Sequence, residues 1–159
     1  MARVPDSIAA FLRLRTIAVA GVSRDPNQPA NHIYRKLRDA GHTVVAVNPA
    51  ATVADGIATV PDLRASEVSI DGVVIAAPPG AAADIVRECV ALGIGHVWFH
   101  RSIGQGSVSA EAVELCRAHA IASIVGGCPM MYCEPVDIAH RCMRWILRSP
   151  GGRRVDPRA

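Results

Sequence analysis

TIAVAGVSR, residues 16–24, decides the fold. Ile17, Ala18, Val19 and Ala20 form an unbroken apolar run, the pattern of a strand covered on both faces. Gly21 ends the run, and a glycine there lets the backbone turn sharply and lets another molecule come close. The polar stretch GVSRDPNQPA, residues 21–30, then leads into a helix predicted over residues 30–40. Strand, glycine loop and helix in that order form the phosphate-cradling unit of nucleotide-binding α/β folds.

Working outward, the same alternation repeats. A short amphipathic helix is expected over residues 6–14, with Ile8, Phe11 and Leu12 on one face and Asp6 or Ser7 as its cap. Gly41 stops the helix over 30–40. A second strand covers residues 43–47 and is cut off by Asn48-Pro49. Residues 56–60 add a small strand before Pro61. Residues 72–76 form an apolar strand halted by Pro78-Pro79-Gly80. A helix follows over 81–92, with Ile85, Val86, Cys89 and Val90 spaced for one buried face. Further strands are predicted over 95–99 and 121–125, and further helices over 110–119 and 136–147. Such alternation predicts a single α/β domain, a Rossmann-like doubly wound parallel sheet of order 3-2-1-4-5-6. The domain is expected over residues 1–148, with the 56–60 strand third in the order, at an edge. Ligands in such sheets bind beyond the carboxyl ends of the strands, where the order reverses. The loops after Ala20, Val47, Ala76, Phe99 and Val125 are therefore the candidate site.

Composition narrows the function. The chain has 159 residues, half of them hydrophobic and few aromatic, enough for one sizeable core without disulfides or metal. Arg148, Arg153, Arg154 and Arg158, offset by Asp156, account for the whole net charge of +3. A near-neutral body argues against a dedicated nucleic-acid binder, and residues 149–159 read as a basic, solvated, disordered tail. No run reaches the ~18 apolar residues of a membrane span. The N-terminus lacks a secretory apolar core, and the cysteine count is odd, at five. A cytoplasmic protein with reduced thiols is expected.

In the first loop, Ser23 offers a hydroxyl, the backbone offers N–H groups, and Arg24 offers a permanent charge suited to phosphate oxygens. The following helix start adds a positive dipole end. An ordinary connection with a surface arginine is the alternative, which the loop's length and polarity disfavour. No G-x-G-x-x-G follows the first strand, and Asn48 stands where an NAD-binding chain carries an acid. No P-loop occurs either.

GVSRDPNQPA, VAVNPA, VIAAPP, VWFH and GGCPMM, in this order and spacing, resemble the CoA-binding domain found at the N-terminus of the succinyl-CoA synthetase alpha subunit and in small stand-alone bacterial proteins. The resemblance covers roughly residues 6–147. It implies coenzyme A as the cofactor. Gly21, Val22, Ser23 and Arg24 would contact the phosphates, and Asn48 and Pro49 would lie near the adenosine. Ala77, Pro78 and Pro79 would wall the cleft, with Phe99, His100 and Arg101 along the pantetheine path. Many stand-alone relatives carry basic residues just before Cys128 and just after Pro129; here Gly127 and Met130 leave that end less charged.

No catalytic constellation is evident. His100 lacks an apparent acid–base partner and reads as a ligand contact or surface histidine. Cys128, Cys133, His140 and Cys142 miss the spacing of paired zinc knuckles, so no metal is assigned. Cys128, beside Pro129, is expected to be the exposed thiol. The reading is therefore a module that binds CoA or a short acyl-CoA. An NADP-dependent oxidoreductase, or the CoA-binding subunit of an acyl-CoA synthetase, is the alternative. A synthetase needs a further domain and a nucleotide-grasping partner, for which this chain has no room. The candidate protein partners are a second copy of the chain and a synthetase-type subunit; neither nucleic acid nor membrane is expected as a partner.

Overall fold

Every residue of strand β1 (Thr16–Ala20) is buried, as its unbroken apolar run requires. In the computed structural model, which describes residues 4–101 and 106–148, β1 is the central strand. On one side it pairs with β2 (Thr43–Val47), on the other with β5 (Gly72–Ile75), both in parallel. Parallel β6 (His96–Phe99) and β7 (Ala122–Val125) extend the sheet beyond β5. Beyond β2 lie β4 (Ile57–Val60), in parallel, and β3 (Val53–Ala54), antiparallel to β4. The full order is β3-β4-β2-β1-β5-β6-β7. Its six parallel strands follow the expected arrangement, and β3 is an addition at the edge.

β3 exists because Asp55 and Gly56 both take positive φ, 52° and 70°, and join Ala54 to its partner Ile57 in a two-residue hairpin. Asp-Gly is a preferred pair for such a turn. Gly56 therefore belongs to the turn and the strand starts at Ile57, one residue later than expected.

The helices are α1 (Asp6–Phe11), α2 (Pro29–Asp39), α3 (Pro79–Leu92), α4 (Ala110–Ala118) and α5 (Ile138–Arg148). α3 starts two residues before the expected position, because proline is tolerated in the first helical turn, where its missing N–H costs nothing. α1 is shorter than expected, and its N-cap residue is Pro5 rather than Asp6 or Ser7. The basic tail expected over 149–159 lies outside the described residues.

Alternate strand residues feed two cores, one on each face of the sheet. Ile17 and Val19 pack with Ile8 and Phe11 of α1, with Ile33 and Leu37 of α2, and with Trp98. Ala18 and Ala20 pack with Val86 and Cys89 of α3, Cys116 of α4, and Phe99. Trp98 anchors the first core. It is fully buried, donates its indole N–H to the Gly126 carbonyl at 2.9 Å, and meets Phe11 edge-on with centroids 5.4 Å apart. A buried indole needs such an acceptor.

Candidate functional site

Ala20 pairs with Val47 on one side and Ile75 on the other, so three central strands end at one level. The crossovers leave this point in opposite directions, and the loops after the strands part to form clefts. Gly21 sits at the fork with φ +110°. A Cβ added there would lie 2.7 Å from the Ala76 carbonyl carbon and oxygen and 2.8 Å from the Ala77 nitrogen. Only glycine fits, because the loop after β1 passes directly over the backbone that links β5 to α3.

Two amides of the first loop are committed to the fold. The Gly21 N–H donates to the Val47 carbonyl at 3.2 Å. The Ser23 N–H donates to Asn31 Oδ1 at 2.8 Å, while Asn31 Nδ2 donates to the Ser23 carbonyl at 2.7 Å and to Asp55 at 3.3 Å. Asn31 is fully buried in the first turn of α2, so this two-way clasp fixes the loop. It also removes the Ser23 amide from those expected to face an anion. Further along, Asp25 folds back on its own turn. The Asn27 amide and then the Gln28 side chain hold its carboxyl below the usual range. Asn48 ties the end of β2 to the same loop, with Nδ2 donating to the Val22 carbonyl at 2.7 Å. Asn31→Ala should cost about 2 kcal/mol, because buried polar groups lose their partners. Amide exchange across residues 21–25 should speed up with it; unchanged exchange would mean that the clasp does not hold the loop.

The first cleft encloses about 530 Å³, within the range of small-molecule sites. Ala20, Val47, Pro49, Leu63, Ala81 and Ile85 make much of its wall. Asn48, Asp62, Asp84 and Glu88 are its polar side chains besides Ser23. The second cleft encloses about 600 Å³ and runs past Gln28, Pro29, His100 and Ser107. Gly21, Ser23, Ala77 and Pro78 line both clefts, so these residues form the junction. Two helices begin beside the clefts. Pro29 opens α2 on the second cleft and Pro78 caps α3 at the junction; neither helix has an acidic residue in its first turn. Both present positive dipole ends.

The structure therefore brings together Gly21, Val22, Ser23, Asn48, Pro49, Ala77, Pro78 and His100 around the two clefts. Arg24 is exposed on the loop and lines neither. Pro79 lies in the first turn of α3, outside both linings. Phe99 must be corrected: it is fully buried in the core under α3 and α4, because a strand's side chains alternate and this one points away from the clefts. Arg101 lies across Gly126, where an added Cβ would come 3.2 Å from its Nη2, and its amide donates to the Gly127 carbonyl at 2.9 Å. Cys128 is also corrected: it is buried in the core that holds Met131 and Tyr132, and Cys142 is the exposed cysteine.

His100 is only 7% exposed, and burial pushes its imidazole down to about 4. It faces the second cleft as a neutral ring. Among residues not singled out beforehand, Ser107 joins it there, its amide donating to the His100 carbonyl at 2.9 Å. Ala81, Asp84, Ile85 and Glu88 were legible as one helical face by their i, i+3, i+4, i+7 spacing.

A single α/β domain whose clefts open beyond the carboxyl ends of a parallel sheet has the architecture in which ligands bind at the switch point. The chain belongs to the CoA binding domain family, whose model matches residues 15–134. No curated protein matches it. A hypothetical protein from Pyrococcus horikoshii OT3 is similar in structure, with TM-score 0.75 and 23% identity over 85% of this chain and 93% of that one. The cell-free protein ID.343 from Thermus thermophilus has TM-score 0.67 and 27% identity over 89% and 99%. Acetyl-coenzyme A synthetase 1 of Ca. Korarchaeum cryptofilum, solved with phosphate and ADP, matches with TM-score 0.61 and 22% identity, over 73% of this chain and 26% of that one. No helix among the described residues is long and apolar enough to cross a membrane.

Proposed function

We propose that this protein binds coenzyme A, or a short acyl-CoA, across the two clefts and catalyses no reaction of its own. The adenosine occupies the first cleft, between Pro49 and Ile85. The pyrophosphate rests at the junction, and the pantetheine arm follows the second cleft past His100. One observation carries this reading: two helices with no acidic residue in the first turn start on the clefts, α3 at their junction and α2 on the second cleft. That is an anion site built from backbone dipoles. Family membership supports the identity of the ligand. The linings suit its base and its arm, with apolar wall at Pro49 and Ile85 in the first cleft and a second cleft that runs past a neutral imidazole. Among the described residues, the junction presents Gly21, Ser23, Ala77 and Pro78 and no acid–base pair, which supports a binding role.

Arg24 stands on the loop between Ser23 and α2, exposed. In this reading it closes over the pyrophosphate when the ligand arrives. Thermal stabilisation tests the proposal. At 100-fold saturation a ligand adds about 2.7 kcal/mol, and CoA should raise Tm more than NAD or NADP does. Equal or larger shifts with NADP would sink it. Arg24→Ala should weaken CoA binding by about 1–3 kcal/mol, the loss of a charge-assisted contact; unchanged affinity would remove Arg24 from the site.

A second reading follows from the likeness to part of an acetyl-CoA synthetase chain. Here the protein would present CoA to a separate nucleotide-grasping subunit. Co-purification of such a subunit with the intact protein tests it.

A further inference from the structure

Among the described residues, acidic groups line the first cleft and no lysine or arginine does. Asp62, Asp84 and Glu88 contribute carboxylates to the lining, which contains no lysine or arginine. The carboxylates are held in place. Asp62 Oδ1 accepts from the Ala65 amide at 2.9 Å, and Glu88 Oε2 accepts from the Leu63 amide at 2.8 Å. Asp84 pairs with Arg87 at 2.7 Å, but Arg87 is outside the lining and also reaches across to Glu111 on α4. Asp62 and Glu88 have no cationic partner among the described ion pairs.

Coenzyme A carries a phosphate monoester on its ribose, with about two negative charges. Sites that take a phosphorylated ribose supply an arginine, and sites that take a free diol supply a carboxylate to accept from the hydroxyls. Charges confined to one cleft lie within the Debye length of roughly 8–10 Å, so salt does not erase their repulsion. Asn48 brings no charge, and the Val22 carbonyl takes one of its two amide hydrogens. Arg24 is exposed and lines neither cleft; in the reading above it lies over the pyrophosphate.

We infer that the first cleft selects an adenosine diphosphate group whose ribose hydroxyls are unphosphorylated, so that dephospho-CoA binds more tightly than CoA. This rests on the two-cleft reading above and sharpens it. The pantetheine arm keeps dephospho-CoA ahead of NAD, which shares the free diol but lacks that arm.

Titration calorimetry with CoA and dephospho-CoA, at about 50 mM and 500 mM salt, tests the inference. Dephospho-CoA should bind at least threefold tighter at low salt, and the gap should narrow at high salt. Glu88→Gln and Asp62→Asn keep an acceptor for the Leu63 and Ala65 amides while removing charge. Each should raise CoA affinity toward that for dephospho-CoA. CoA binding as tightly as dephospho-CoA, or tighter, would overturn the selectivity and leave the CoA reading standing. A preference that both variants leave unchanged would overturn the role of the carboxylates. Binding of neither compound would overturn the two-cleft reading itself.

Discussion

Gly21→Ala should destabilise the protein by about 2–6 kcal/mol and abolish CoA binding. Two costs add. An alanine at φ +110° is strained whatever surrounds it, at roughly 1–3 kcal/mol. Its methyl group would also press on backbone atoms of Ala76 and Ala77 at 2.7–2.8 Å, and packed backbone cannot swing aside as a flexible side chain does. Overpacking of that kind costs about 1–3 kcal/mol. Relief requires the β1–α2 and β5–α3 loops to separate, which displaces the residues shared by both clefts. Gly80→Ala is the control. Nothing lies within 4 Å of its added Cβ, and the residue is in helix α3, so stability should rise by about 0.5–1 kcal/mol. Denaturant unfolding of both variants checks the contrast; a Gly21→Ala protein as stable as its parent would show that the close approach is not real.

Acidification should remove about 3 kcal/mol of stability through His100 alone. Burial lowers its imidazole to about 4, below the ordinary 6.5. Above pH 6.5 neither the folded nor the unfolded chain protonates this ring, and the full stability is present. Between pH 6.5 and 4 the unfolded chain takes up a proton that the folded one excludes, so stability falls as the pH falls, and it levels off below 4. His100→Asn should flatten this part of the pH profile, whatever it does to stability at pH 7. An identical slope in both proteins would place the acid sensitivity elsewhere. The same burial keeps the ring neutral at pH 7, so in the proposed complex His100 would offer a hydrogen-bonding group and no charge to an anion.

Much of the architecture was legible because it depends on local patterns. An unbroken apolar run such as IAVA has nowhere stable to go but a doubly covered strand, and helical spacing assigns α2, α3 and α4 to the sheet faces. The Asp55-Gly56 hairpin was equally local, and was missed only because Gly56 was read as the first residue of a strand rather than the second residue of a turn. Pro79 misled for a similar reason: a helix-breaking residue in mid-helix is a good starting residue in the first turn.

The location of the candidate site also followed from sequence, since strand order and the loops beyond the carboxyl ends are set by topology. By itself, the chain determined a parallel α/β sheet, its switch point after Ala20, and a glycine loop there. Which groups face that point was a tertiary decision. Phe99 and His100 are neighbours, yet strand alternation sends one into the core and leaves the other beside the cleft. Cys128 looked accessible beside a proline, but the turn that follows folds it under Trp98 and Tyr132. Asn31 could clasp Ser23 only once α2 had packed against β1, and Asp62 and Glu88, 26 positions apart, became one acidic wall only when α3 docked beside the segment that follows β4. Side-chain direction and long-range proximity arise from packing, and no local pattern encodes them.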